Sequence, residues 1–205
     1  MSNSDRSPRG RGTAGGRARG AQIERAAAEV LAELGYAGAS VARIAERAGV
    51  SKGVVTYHFP SKDQLLRQVA LRLLQGCAEH VASASGASRT PAARLRAEIS
   101  AELEFFSPRR VEFLAMAEVL NNHREADFGR AFDEVAAGET EALAELLSEG
   151  QAAGQFRAFD ATQVAQLIAA AKNDVLERWA SDSNLELAPM AAALLDFVEA
   201  AVVAK

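Results

Sequence analysis

Residues 40–66, SVARIAERAGVSKGVVTYHFPSKDQLL, decide how the rest of the chain is read. Ile44, Ala45 and Ala48 recur at helical spacing and mark the inward face of a first short helix. Gly49 follows, the residue type that gives the backbone freedom for a tight turn, and Val50 plugs the corner. Ser51 is suited to cap the next helix, because its hydroxyl can accept from an orphan N–H of the first turn. In that helix Val55 and Phe59 lie four apart and share one buried face. The other side carries Lys52, Thr56 and Tyr57: a cation, a hydroxyl and an aromatic hydroxyl. Two short helices joined in this way form a helix-turn-helix, which lays its second helix in the major groove of DNA. Ser40, Arg43, Ser51, Gly53 and His58 complete the candidate DNA-facing set.

The string IAERAGVSKG…YHFPSKDQLL resembles the N-terminal domain of TetR-type transcriptional regulators. The resemblance implies an all-α chain of about nine helices: a three-helix DNA-binding domain over 21–66 and a helical ligand-binding and dimerisation domain over 67–205. It further implies a homodimer on double-stranded operator DNA and a C-terminal domain that senses a small molecule. Lys62 is the residue at which the family makes a phosphate contact, with Tyr57 and His58 as phosphate neighbours. Two positions depart from the family pattern. Thr56 stands where an aromatic is usual, and Ser40–Val41 where Thr is preferred at the entry of the second helix. The base preference is therefore not carried over.

Charge is divided along the chain. Residues 1–62 hold ten Lys and Arg against five Asp and Glu, a formal +5, whereas 63–205 sum to −9. A basic end and an acidic remainder suit a protein whose N-terminal part alone docks on a polyanion. Residues 1–20 are Gly, Ser and Arg with almost no apolar anchor, which predicts a disordered basic arm. Such an arm either tracks phosphates or is a solvated tail. Cys77 is the single cysteine, so no intrachain disulfide is possible and a cytoplasmic location is expected. No apolar run reaches the roughly 20 residues of a membrane span, and the Arg-rich N-terminus lacks the apolar core of a secretory signal.

Helical spacing from Ala21 to Leu34 predicts the first helix, stopped by Gly35. Ser61 and Gln64 form a capping box that opens a helix to about Val81. Lys62 in its first turn opposes the helix dipole unless an anion lies nearby. Thr90–Pro91 and Ser107–Pro108 start two more helices. Further helices are expected over about 125–149, 160–180 and 189–205. Val164, Ile168, Val175 and Trp179, with Leu194, Phe197 and Val198, form stripes on the last two helices, either intrachain core or a dimer face. The resemblance pairs these helices with their symmetry mates in a four-helix bundle.

Phe106, Phe113, Met116 and Phe128 concentrate apolar surface in the middle of the C-terminal part, with Asn121, Asn173 and Asp174 as polar groups beside them. Together they are the candidate site for a small apolar or amphipathic ligand; Asn173–Asp174 within an apolar helix is expected to be a buried polar pair. No metal or cofactor is expected. An enzyme is not expected either: no phosphate-binding Gly-rich loop or GxSxG elbow is present. Cys77 with His80 three residues on reads as a buried small hydrophobe rather than a nucleophile and base. The reading is a ligand-released repressor; the alternative is a DNA-binding regulator without a small-molecule inducer, controlled by a protein partner.

Overall fold

A computed structural model of the protein describes residues 14–122 and 126–204, and these contain nine helices. The chain divides into two compact units. One takes the N-terminal part through Arg72 together with Ala115–Asn122; the other takes Leu73–Leu114 and the chain beyond Asn122. The expected domain boundary at 66–67 therefore moves six residues on, and a segment distant in sequence joins the N-terminal unit.

In the N-terminal unit, α1 (Ala14–Gly38) begins earlier than composition suggests. Residues 14–20 are helical where disorder was expected. Ala14, Arg17, Ala18 and Arg19 are strong helix formers, and Arg19 donates to Gln22 one turn on at 2.8 Å. That outweighs three glycines. Arg6, Arg9 and Arg11 lie outside the described residues. The helix breaks at Gly35, as its sequence position requires: φ 67°, ψ 176° is a region open essentially to glycine alone.

Helices α2 (Val41–Arg47) and α3 (Lys52–His58) follow. Ser40 caps α2 by accepting from the Arg43 N–H at 3.3 Å, and Ser51 caps α3 by accepting from Val54 N–H at 3.3 Å. Between them the chain closes in a Schellman motif, with Val50 N–H donating to Ala45 C=O and Gly49 N–H to Glu46 C=O. Gly49 takes φ 62° there. Ile44, Ala45, Ala48 and Val55 are buried together with Ile23, Ala27, Val30 and Leu31 of α1 and Leu65, Leu66 and Val69 of α4 (Lys62–Ser85). Gln22 on α1 donates to the Ala48 carbonyl at 2.8 Å, securing the end of α2.

The second unit is built from α5 (Pro91–Phe106), α7 (Ala126–Ala152), α8 (Ala161–Ser181) and α9 (Leu187–Val202). It also includes the last part of α4 and the start of α6 (Arg110–Asn122). Leu95, Ile99 and Leu103 are buried with Leu146, Leu147, Leu176 and Val198. Phe105, Phe106, Phe113 and Trp179 form a ladder of edge-on ring contacts, with successive centroids 5.3, 5.2 and 6.5 Å apart. Arg110 extends it, lying 4.6 Å over Trp179 and donating to the Asp182 and Leu185 carbonyls. No helix among the described residues is long and apolar enough to cross a membrane.

Candidate nucleic-acid interface

The caps and the Schellman turn set the orientation of α3, and its faces then separate. Val55 is buried. Ser51, Lys52, Gly53, Thr56 and Tyr57 are exposed, and His58 is half-buried. Lys52, Thr56 and Tyr57 thus share the outward side, as helical spacing required. The Thr56 hydroxyl is within 3.2 Å of both the Lys52 and Gly53 carbonyls, to either of which it can donate. Its oxygen lone pairs consequently face outward. The Tyr57 and His58 rings meet edge-on, 5.4 Å apart.

Four of the residues expected to face DNA also make contacts within the chain. Ser40 and Ser51 spend a hydroxyl acceptor position on capping. Arg43 is exposed, and one of its guanidinium nitrogens donates to the Gly38 carbonyl at 2.8 Å. Arg47 pairs with Glu29 and Glu33 of α1. Lys62 turns inward: its Nζ donates to the Tyr36 carbonyl at 2.7 Å and lies 4.4 Å over the Tyr36 ring. That carbonyl offsets part of the charge of a lysine in the first turn.

Sequence reasoning missed a hollow of about 270 Å³ beside His58. Arg17, Glu24, Phe59, Gln68 and Arg72 line it, with Gly16 and Gly20 providing the close approach. Glu24 is buried, and burial pushes its carboxyl above the usual range while Arg72 pulls it down. Arg17 carried a signal as part of the basic stretch, and His58 and Phe59 were read for other roles.

Of the candidate ligand residues, Phe106 and Phe113 meet edge-on, 5.2 Å apart. Phe106 and Phe113 are buried within the aromatic ladder, whereas Met116 and Asn121 belong to the N-terminal unit. Asn121 is exposed. Phe128 is carried on α7, and its side chain lies outside the described residues. Asn173 and Asp174 are exposed rather than buried, with Asp174 3.6 Å from Arg178. The reason is register: Ile168, Leu176 and Trp179 set the inward face of α8, and Lys172 falls on it. Lys172 pairs with Glu102 of α5, their side chains only 15% and 19% exposed. A hollow of about 310 Å³ lies elsewhere, lined by Leu95, Ile99, Phe156, Leu195, Val198 and Val202, among others.

The expected dimer stripe is also revised. Ile168, Trp179, Leu194 and Val198 are buried within the protomer itself, and Val164 and Val175 are half-buried. Phe197 is 65% exposed, and Leu167, missed in the sequence, is 69% exposed. Cys77 is buried; burial, then the Glu102 and Glu139 charges, push its thiol up to about 12, so it carries no thiolate at neutral pH. His80 is exposed, its ring 5.8 Å from that of Phe105. No three His, Cys, Asp or Glu side chains among the described residues gather to hold a metal ion.

The family model for bacterial regulatory proteins of the tetR family matches residues 23–69. The chain is 39% identical over 90 residues to the HTH-type transcriptional regulator BetI of Burkholderia thailandensis, covering 42% of this chain and 45% of BetI. It is 37% identical over 101 residues to the HTH-type transcriptional activator FasR of Mycolicibacterium smegmatis, covering 45% and 46%. The chain thus spans less than half the length of the curated relatives it matches. Two solved structures extend the likeness at the level of fold. PfmR, a TetR family regulator from Thermus thermophilus, aligns over 87% of this chain and 97% of its own, with a TM-score of 0.78 and 23% identity. FadR from Bacillus subtilis, solved with stearoyl-CoA, aligns over 87% and 96%, with a TM-score of 0.73 and 23% identity.

Proposed function

We propose that this chain, whose residues 23–69 match the family model for bacterial regulatory proteins of the tetR family, acts as a dimeric DNA-binding transcriptional regulator. The observation that carries this reading is the outward face of α3. Lys52, Gly53, Thr56 and Tyr57 are exposed on a helix fixed by its Ser51 cap and by the Schellman turn before it. In the proposed complex Lys52 and Thr56 lie nearest base edges, while Tyr57 and His58 reach the backbone. Phosphate contacts orient the protein; base contacts specify the site.

A seven-residue reading helix covers few base pairs. Two of them related by a two-fold reach half-sites about 34–36 Å apart. The second copy is proposed to cover Leu167 and Phe197, apolar side chains left exposed on α8 and α9. The operator is then palindromic. Repression released by a small apolar or amphipathic molecule is the proposed form of control, supported by the ligand complex of FadR. Such a ligand acts by shifting a population, and a coupling of about 1–3 kcal/mol weakens operator binding roughly 5–150-fold.

One observation favours the second reading, a regulator without a small-molecule inducer and under a protein partner's control. The aromatic ladder from Phe105 to Trp179 fills the place where ligand-facing rings were expected. Selection of random duplex DNA on the purified protein, read at two salt concentrations, tests the function common to both readings. Recovery of a two-fold symmetric site supports it; sequence-blind, purely salt-sensitive binding overturns it. A screen for molecules that release that site then separates the two modes of control.

A further inference from the structure

Tyr36 lies just past the break in α1, four residues before the cap of α2. All three of its polar handles are held. Its N–H donates to Glu118 Oε2 of α6 at 2.9 Å. Its carbonyl accepts from Lys62 Nζ at 2.7 Å, and its hydroxyl donates to Asp63 at 2.7 Å. The Lys62 ammonium also stands over its ring. Glu118 is itself steadied by Asn122, whose side-chain amide donates to the Glu118 carbonyl at 3.0 Å and reaches Oε2 at 3.3 Å.

Gly35 makes room for this arrangement. A Cβ there would stand 3.3 Å from Glu118 Oε2, in a backbone conformation that side chains rarely adopt. Hydrogen bonds to ionised groups are shorter and roughly twice as strong as neutral ones, and two of them grip opposite sides of one peptide-bearing residue. The contacts are local in space yet bring together α1, α4 and α6, with 82 residues of chain between Tyr36 and Glu118.

We propose that Glu118 and Lys62 are positioning residues for DNA reading: a clasp on Tyr36 that fixes the corner from which α2 and α3 depart. Lys62 then acts from inside the protein, on a carbonyl, and not on a phosphate. The proposal rests on the DNA-binding reading above. It makes a prediction of sign that electrostatics alone opposes. Removing the negative charge of Glu118 from a protein that meets a polyanion should leave binding unchanged or tighten it. Loss of the clasp should weaken it.

The test measures binding of the selected duplex and of random duplex at several salt concentrations, for the wild type, Glu118→Ala, Glu118→Gln and Lys62→Met. Hydrogen exchange at the Tyr36 amide is followed in the same proteins. Glu118→Ala is expected to bind the selected site about tenfold more weakly, with binding to random duplex retained, the salt slope unchanged and Tyr36 exchange faster. Glu118→Gln keeps an acceptor oxygen and should recover part of both effects. Lys62→Met should weaken specific binding at unchanged slope, whereas a phosphate contact would lower the slope by about one. The clasp is overturned if Glu118→Ala binds as tightly as the wild type, or if Lys62→Met lowers the slope. Unaltered Tyr36 exchange in Glu118→Ala overturns it too, even if that variant is globally destabilised. Should the wild type select no duplex at all, the DNA-binding reading falls, and the exchange data alone decide whether the clasp exists.

Discussion

Arg72 donates through Nε to the carboxylate of Glu24 at 2.9 Å, and the two partners are unequally placed: the Glu24 side chain is 10% exposed and that of Arg72 59%. The buried member depends on the exposed one. Arg72→Ala should leave a buried carboxylate without its cation and lower stability by about 1–3 kcal/mol at pH 7. Because Glu24 titrates above its unfolded value, the folded protein keeps this proton to higher pH than the unfolded chain. Stability from this group is lost as pH rises through that interval and regained on acidification. Urea unfolding from pH 7 down to pH 5 should show the Arg72→Ala deficit shrinking; a deficit constant with pH would remove Glu24 as its source.

Gly150 and Phe156 interlock where α7 ends. An added Cβ at 150 would come within 2.0 Å of the Phe156 ring. Gly150→Ala should cost about 1–3 kcal/mol through forced repacking, read by thermal unfolding. Adding Phe156→Leu should return part of the loss, since neighbouring substitutions are not additive. Strict additivity would place the strain elsewhere.

Thr56 presents oxygen lone pairs outward while its proton is engaged with a backbone carbonyl. It should accept from an exocyclic amino group, that of adenine or cytosine. Thr56→Ala should reduce preference at one position of each half-site by about 1 kcal/mol, the low end for a mismatched base pair. The salt slope should not change. Selections repeated with the variant would reveal either that single relaxed position or an unaltered site, the latter excluding Thr56 from base reading.

Leu167→Glu with Phe197→Glu should yield a monomer in sedimentation velocity with helix content intact. Trp179→Ala should behave differently. Its ring is buried within the protomer, so truncation should cost about 3–5 kcal/mol of protomer stability. A dimer that survives both glutamates would move the interface off this face.

Cys77 should resist iodoacetamide at pH 8 in the folded protein and react in urea, because burial keeps its thiol protonated. Rapid native labelling would show that the helix around it opens readily.

Much of the fold was legible because its signals are local. Ser51, Ser61 and Thr90 cap the helices they were expected to cap, and Gly35 and Gly49 break the chain where they stand, whereas Ser107 closes α5 and the next helix opens only at Arg110. The exposed set on α3 followed from placing Val55 inward, since burying one residue of a short helix fixes the faces of the others; Phe59, expected to share that buried face, is half-buried and caps the end of the helix. The basic arm was misjudged over 14–20 because glycine count hid the helix-forming alanines and arginines between them.

Sequence by itself determined the helix-turn-helix, the order of the helices and the outward residues of α3, because caps, turns and 3.6-residue periodicity act over a few residues. The tertiary structure alone decided which partners the charged side chains take. Lys62 and Glu118 both reach Tyr36, Lys172 reaches Glu102, and Arg72 reaches Glu24. It also decided that Phe197 and Leu167 stay uncovered on the protomer while Ile168 and Trp179 do not. Amphipathic stripes show that a face is apolar but not which neighbour covers it, and a long charged side chain can satisfy any acceptor within its reach. Those choices depend on which distant segments pack together, and no short-range pattern encodes that.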